Sequence, residues 1–265
     1  MVYHSLGVYH SFMNEKEMKA PTGNFGVLVK QYDAVRPSYP TQVLSFIASH
    51  NRIANPRVLD IGCGTGISTR QLASKLKGVV VGCDIDLEML KVAMSHEHKN
   101  LAYSLGDARK ILFEKKSFDM VTAFTAFHWF TDKAALKEIA RVLKSDSRFC
   151  TVQPRHTSPF SGDLRMILKQ ELGREFPASY SNVNFEESLT KSGFNVVGKK
   201  TFKDVHTYEL DTYLVLLQSY SVWDNVSIVD RQRILKVLKK HFAAKTKDGL
   251  IFDTRDIEVL IAEPR

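Results

Sequence analysis

Cysteine is scarce in this chain: three among 265 residues, Cys63, Cys83 and Cys150, with no metal-ligand spacing between them. The reading is small buried free thiols in a reducing, cytoplasmic setting rather than disulfides or ligands. No apolar run approaches the ~20 residues that a membrane span needs. The first residues carry His4, His10, Glu15 and Glu17 and lack an apolar signal core, so no secretion signal is expected. Residues 1–23 read instead as a flexible arm, with Met13 as an alternative start. Repeats and low-complexity tracts are also missing. The net charge of +8 is spread along the chain, with clusters at 199–203 and 236–247 and no interleaved aromatics. That pattern suits solvated lysines and an anionic small substrate better than nucleic acid. With 44% hydrophobic residues, the chain has the material for one large α/β domain.

What is present centres on Val58-Leu59-Asp60-Ile61-Gly62-Cys63-Gly64-Thr65-Gly66. Val58, Leu59 and Ile61 suit a strand buried on both faces. Gly62, Gly64 and Gly66 permit positive φ and close approach of a ligand. Ile67, Leu72 and Leu76 give the following segment a helical stripe. Strand, glycine loop and helix N-terminus together make a nucleotide site at the carboxyl end of a parallel sheet. The glycines do not fit G-x-G-x-x-G, and no lysine follows Gly66 as a phosphate loop requires. Asp60 would repel a pyrophosphate, so the ligand is expected to be cationic or neutral.

Downstream the chain alternates strand and helix, which implies a parallel sheet. Strands are expected at 78–85, 101–106, 117–124 and 148–153. Asp84 ends the second of the strands, 18 residues after Gly66, near the offset of roughly 20 at which such folds place an acid on ribose hydroxyls. Asp86 and Asp132 look like helix N-caps. Asp107 and Ala108 follow the third strand, and Thr125-Ala126-Phe127-His128-Trp129-Phe130 follows the fourth at the rim where open sheets bind ligands. Pro37 and Pro40 stop any helix there, and Thr41 is placed to cap a helix over 42–50. After Pro154 come helices at 164–172 and 185–192, a strand or bent strand over 195–210, helices at 212–223 and 231–242, and a last strand at 251–262.

The segment Asp60-Ile61-Gly62-Cys63-Gly64-Thr65-Gly66 resembles the first motif of class I S-adenosylmethionine-dependent methyltransferases. Tyr32-Asp33-Ala34-Val35-Arg36-Pro37-Ser38-Tyr39-Pro40 and Ala126-Phe127-His128-Trp129-Phe130 narrow the likeness to the small-molecule group related to trans-aconitate methyltransferase. The resemblance implies a Rossmann-like, doubly wound, mostly parallel seven-stranded sheet with an antiparallel C-terminal hairpin and a helical cap. It divides the single domain at 24–265 into a cofactor-covering segment (24–50), a cofactor-binding core (51–153), a cap and hairpin insertion (154–250) and a terminal strand (251–265). It implies S-adenosyl-L-methionine as cofactor and S-adenosyl-L-homocysteine as product. Asp60, Gly62, Cys63, Gly64, Thr65 and Gly66 would hold the cofactor. Asp84 would take the ribose and Asp107 and Ala108 the adenine, while Ile85, Phe124, Tyr32 and Arg36 cover it.

The expected reaction is in-line methyl displacement onto a small molecule, a carboxylate among the candidates. Tyr39, Phe127, Trp129, Arg155, Gln218 and Trp223 are the expected substrate contacts, with Tyr213, Ser219 and Tyr220 as further candidates in the inserted helices. Arg36, Arg155 and His156 are candidate anion clamps. His128 is the candidate catalytic base for an acceptor that must lose a proton. The alternatives are a methyltransferase acting on RNA or a lipid-quinone, and a protein that binds the cofactor without catalysis. Monomer and dimer are both compatible with the sequence.

Overall fold

The computed structural model describes residues 29–96, 98–176 and 183–265. The arm expected at 1–23, the start at Met13 and the residues around Pro177 lie outside the described residues. The strand most legible in the sequence is central. Val58, Leu59, Asp60 and Ile61 are buried in β1 (Arg57–Ile61). On one side β1 pairs in parallel with β2 (Val79–Asp84), and β2 with β3 (Leu101–Leu105). On the other it pairs in parallel with β4 (Phe118–Phe124), and β4 with β5 (Leu143–His156). A long antiparallel hairpin, β6 (Phe194–Glu209) and β7 (Leu250–Pro264), adds to β5 through β7. The order is β3-β2-β1-β4-β5-β7-β6 in one seven-stranded sheet. This is the Rossmann-like architecture with a C-terminal hairpin that the sequence leads one to expect.

Side chains alternate along each strand, so successive residues feed opposite cores. Leu59, Val81 and Val121 pack towards α5 (Lys133–Val142) and α7 (Phe185–Lys191). Val58, Val80 and Met120 pack towards α2 (Thr41–Ser49) and α3 (Ile67–Lys75). The steps β1–β2, β2–β3 and β4–β5 each cross through one helix: α3, α4 (Leu87–Met94) and α5. Asp86 and Asp132 cap α4 and α5 by accepting two backbone N–H bonds each, worth about 1 kcal/mol apiece. Thr41 does not cap α2: it is the first helical residue, Pro40 precedes it, and no side chain bonds the helix end. Pro40 brings the fixed φ that helix entry needs without any side-chain acceptor.

A third core lies at the carboxyl end of the parallel strands. It joins α6 (Asp163–Leu172), α8 (Leu210–Gln218) and α9 (Ile228–Ala243) through Ile167, Leu168, Leu214, Leu216, Ile234, Leu238 and Phe242. Tyr208 and Ile251, at the tip of the hairpin, complete it, and Val35 of α1 (Val29–Val35) leans on it. Residues 154–250 therefore divide between two places. α6, α8 and α9 form the cap, whereas Phe185 and Leu189 of α7 belong to the sheet's own core. Among the described residues no helix is long and apolar enough to cross a membrane.

Candidate active site

The glycine loop starts where β1 stops, and its three glycines do different work. Gly62 has φ +71°, and a Cβ there would stand 2.5 Å from Cβ of Ala126. Gly66 has φ +81°, and a Cβ would stand 2.5 Å from the Tyr103 hydroxyl. Both positions exclude a side chain by conformation and by space. Gly66 thus packs on Tyr103 and, contrary to expectation, does not line the cavity. Gly64 faces open space, and its N–H donates to Oδ2 of Asp84 at 2.7 Å.

Asp60 also departs from expectation. It is wholly buried beneath the loop and does not line the cavity. Its carboxylate accepts from the hydroxyls of Ser68, Thr69 and Thr122 at 2.7, 2.7 and 2.8 Å. Burial pushes its pKa up while the three donors oppose the shift. Asp60 is a joint between β1, β4 and the first turn of α3, because a carboxylate at that depth needs donors and the sequence supplies three.

A cavity of about 430 Å³ opens above the loop, at the carboxyl ends of β1, β2 and β4 and beneath the cap. Gly62, Cys63, Gly64 and Thr65 form its floor, and Oγ1 of Thr65 is buried with no hydrogen-bond partner among the described residues. Asp84 and Ile85 line it from β2, Asp107 and Ala108 from the turn after β3, and Phe124 from β4. Besides Gly64, Asp84 accepts from the Asp86 N–H at 2.9 Å. Burial raises its pKa to about 6, against the pull of these backbone donors. Oδ1 of Asp107 accepts from the Arg109 N–H at 2.8 Å, and Arg109 in turn donates to the Trp129 carbonyl at 2.9 Å. The turn after β3 is thereby tied to the turn after β4.

The far half of the cavity lies between the sheet and the cap. Tyr32 and Arg36, expected over the cofactor, and Tyr39, His128 and Trp129, expected at the acceptor, all line this cavity. Tyr39 packs edge-on to Phe124, ring centroids 4.7 Å apart, and its hydroxyl meets Oγ1 of Thr125 at 2.6 Å. Thr125 sits at φ +53°, with its N–H donating to the Val152 carbonyl at 2.7 Å. A non-glycine residue held there is strained, a trait of functional sites. His128 is held neutral at neutral pH: burial lowers its pKa to about 4, and a bond with Gln153 only partly offsets this.

The Arg36 guanidinium lies between the rings of Tyr32 and Tyr220, at 4.6 and 4.5 Å from their centroids, and donates to the Ser219 carbonyl at 2.7 Å. His156 also lines the cavity; its Nδ1 meets Oδ2 of Asp253 at 3.0 Å and its Nε2 meets the Tyr220 hydroxyl at 3.2 Å.

Four expected substrate contacts do not reach the cavity. Phe127 is 1% exposed and packs on the rings of Phe149 and Phe185 at 5.3 and 5.5 Å. Pro154 and His156 line the cavity, so strand alternation turns Arg155 away from it. Arg155 lines a shallow hollow with Glu186, Lys199 and Glu258 instead. Gln218 donates to the Leu214 carbonyl at 3.0 Å, while Tyr213 and Leu217, four residues apart on α8, present the helix face that lines the cavity. Trp223 is fully buried inside the cap core.

The sequence reading also missed Arg165, Phe160, Asp253 and Arg255, which line the cavity. Arg165 follows Leu164 in an amphipathic helix and was open to detection. Asp253 was not, because nothing local reveals that it meets His156 across the antiparallel pair.

The pattern of the family described as "Methyltransferase domain" matches residues 58–146. A protein of Schizosaccharomyces pombe, described as an uncharacterized methyltransferase, is 30% identical over 213 residues, spanning 78% of this chain and 82% of its own length. Among solved structures, the YcgJ protein of Bacillus subtilis superposes with a TM-score of 0.54 at 21% identity, covering 85% of this chain and 100% of that one. Phosphoethanolamine N-methyltransferase 2 of Haemonchus contortus, solved in complex with S-adenosyl-L-methionine, has a TM-score of 0.53 at 20% identity, covering 91% of this chain and 57% of that one.

Proposed function

This chain belongs to the class I S-adenosylmethionine-dependent methyltransferases, and from that premise we propose that its acceptor is a small molecule carrying a carboxylate. S-adenosylmethionine, when bound, supplies a methyl group already activated on sulfur. The floor suits it: the loop is open at Gly64, the Thr65 hydroxyl lacks a hydrogen-bond partner among the described residues, and a part-buried carboxylate stands at Asp84. We assign the ribose hydroxyls to Asp84, since each of its oxygens accepts a backbone N–H and keeps capacity for more. Asp107 and Ala108 take the adenine, with Ile85 against its face. Cys63, Gly64 and Thr65 take the amino-acid end, and Phe124, which lines the same cavity, covers the cofactor.

The acceptor class rests on two arginines. Nε of Arg36 and Nε of Arg165 are both buried, both without a hydrogen-bond partner among the described residues, and both residues line the same cavity. Buried guanidinium N–H groups match a carboxylate. Tyr39 and Trp129 then wall the acceptor. His128 serves as a neutral hydrogen-bonding wall, because a group with a pKa of about 4 is a weak base at neutral pH.

The test is a screen of an aqueous metabolite extract for S-adenosylhomocysteine release, followed by mass identification of the product. With the acceptor so found, Arg165→Ala is expected to raise its KM about tenfold, the loss of one charge-assisted bond. S-adenosylmethionine affinity should stay within twofold of wild type. An unchanged acceptor KM would remove the carboxylate reading.

A further inference from the structure

We propose that Tyr220, His156 and Asp253 form a proton relay for methyl transfer, so that the methylated atom is a hydroxyl oxygen close to the carboxylate that the arginines hold. This rests on the anionic acceptor proposed above and adds the identity of the reacting group.

The direction of the relay follows from the donors and acceptors. Asp253 is buried, and the donors facing it from His156 and Ser158 together with the nearby Arg255 favour its ionised form. An ionised carboxylate only accepts. It takes the Ser158 hydroxyl on Oδ1 at 2.6 Å and the His156 Nδ1 proton on Oδ2 at 3.0 Å. A neutral imidazole protonated on Nδ1 carries its lone pair on Nε2. The Tyr220 hydroxyl, 3.2 Å from that nitrogen, is therefore the donor. The charged and titratable groups around His156 are Asp253 and Arg255 from β7, Tyr220 from the turn after α8, and Arg36 stacked on the Tyr220 ring.

The chain ends in the cavity beside the Arg36 guanidinium. A carboxylate on Arg36 places a neighbouring hydroxyl against the Tyr220 oxygen. As the acceptor oxygen bonds to the methyl carbon, the carbon–sulfur bond breaks and its electron pair stays on sulfur. The acceptor's proton passes to the Tyr220 oxygen while the tyrosine's own proton passes to Nε2 of His156. The products are a methyl ether, a neutral thioether and an imidazolium facing Asp253. The positive charge that began on sulfur ends on His156, which then loses its proton to water. Such positioned proton transfer contributes about 100-fold or more. His128 lacks this arrangement: its pKa is depressed, whereas His156 has a carboxylate behind it to stabilise the charged form.

Two measurements test the relay. Nitrogen NMR of the ¹⁵N-histidine-labelled protein without ligands should show the neutral His156 ring protonated on Nδ1 and bare on Nε2. Tyr220→Phe keeps the ring on which Arg36 stacks. With the acceptor from the metabolite screen, it should lower kcat about 100-fold and leave both KM values within threefold. His156→Asn should do the same. The opposite tautomer, a methyl ester as the product, or wild-type kcat in Tyr220→Phe would each overturn the relay. If Arg165→Ala leaves the acceptor KM unchanged while Tyr220→Phe loses kcat, the carboxylate reading fails and the relay stands.

Discussion

Asp84→Ala lowers the affinity for S-adenosylmethionine by well over tenfold, and toward 100-fold if both ribose hydroxyls bond the carboxylate. A hydrogen bond to a charged group is worth about 1.5–3 kcal/mol, and each 1.4 kcal/mol is tenfold in Kd. Asp84 also holds Gly64 through its N–H, so the variant loosens the floor as well as losing the ribose acceptor. Asp84→Asn separates the two effects, because it keeps one acceptor oxygen and loses the charge. The binding should also follow pH. The ionised form accepts from the hydroxyls and the protonated form accepts less, so affinity is full at neutral pH and falls as pH drops through about 6. That fall should be absent in Asp84→Asn. Calorimetric titration across pH reads both effects, and wild-type affinity in Asp84→Ala would sink the ribose assignment.

Asp60→Ala lowers the melting temperature by about 10 °C. The change leaves the buried hydroxyls of Ser68, Thr69 and Thr122 without their shared acceptor. Buried groups stripped of a charged partner cost roughly 1–3 kcal/mol each, and in a chain of this size each kcal/mol shifts the midpoint by about 2–4 °C. Asp60→Asn, which keeps one acceptor oxygen, should fall between the two. A variant that melts like wild type but binds S-adenosylmethionine poorly would mean that Asp60 faces the ligand after all. Differential scanning calorimetry with and without the cofactor distinguishes these outcomes.

Those two acids show how far sequence reading carries. The strand, the glycine loop and the offset to Asp84 are local features, and backbone chemistry ties them to a nucleotide site. Asp107, Phe124 and the 126–130 turn were legible for the same reason, since each follows a strand at the ligand-binding rim. Sequence proximity to the loop was a poor guide to exposure, however. Asp60 and Gly66 adjoin the site yet face Ser68, Thr122 and Tyr103. Among the rim aromatics, a 3-10 turn over Phe127–Trp129 puts Phe127 in the core and His128 and Trp129 on the cavity. No spacing rule separates adjacent residues in so short a turn. In β5 the two-residue period places His156 on the cavity and Arg155 off it, a distinction that strand register alone carries. The pairing of His156 with Asp253 spans 97 residues and exists only once β5 and β7 are aligned.

The central claim is that this methyltransferase acts on a small carboxylate-bearing molecule held under the cap. The most direct test incubates the protein with methyl-labelled S-adenosylmethionine and a cell extract divided into small-molecule, RNA, protein and lipid fractions. Label in a small molecule with a free or methylated carboxyl group, in equal amount to the S-adenosylhomocysteine formed, is the predicted result. Label only in the RNA, protein or lipid fraction, or cofactor binding with no S-adenosylhomocysteine from any fraction, would contradict it.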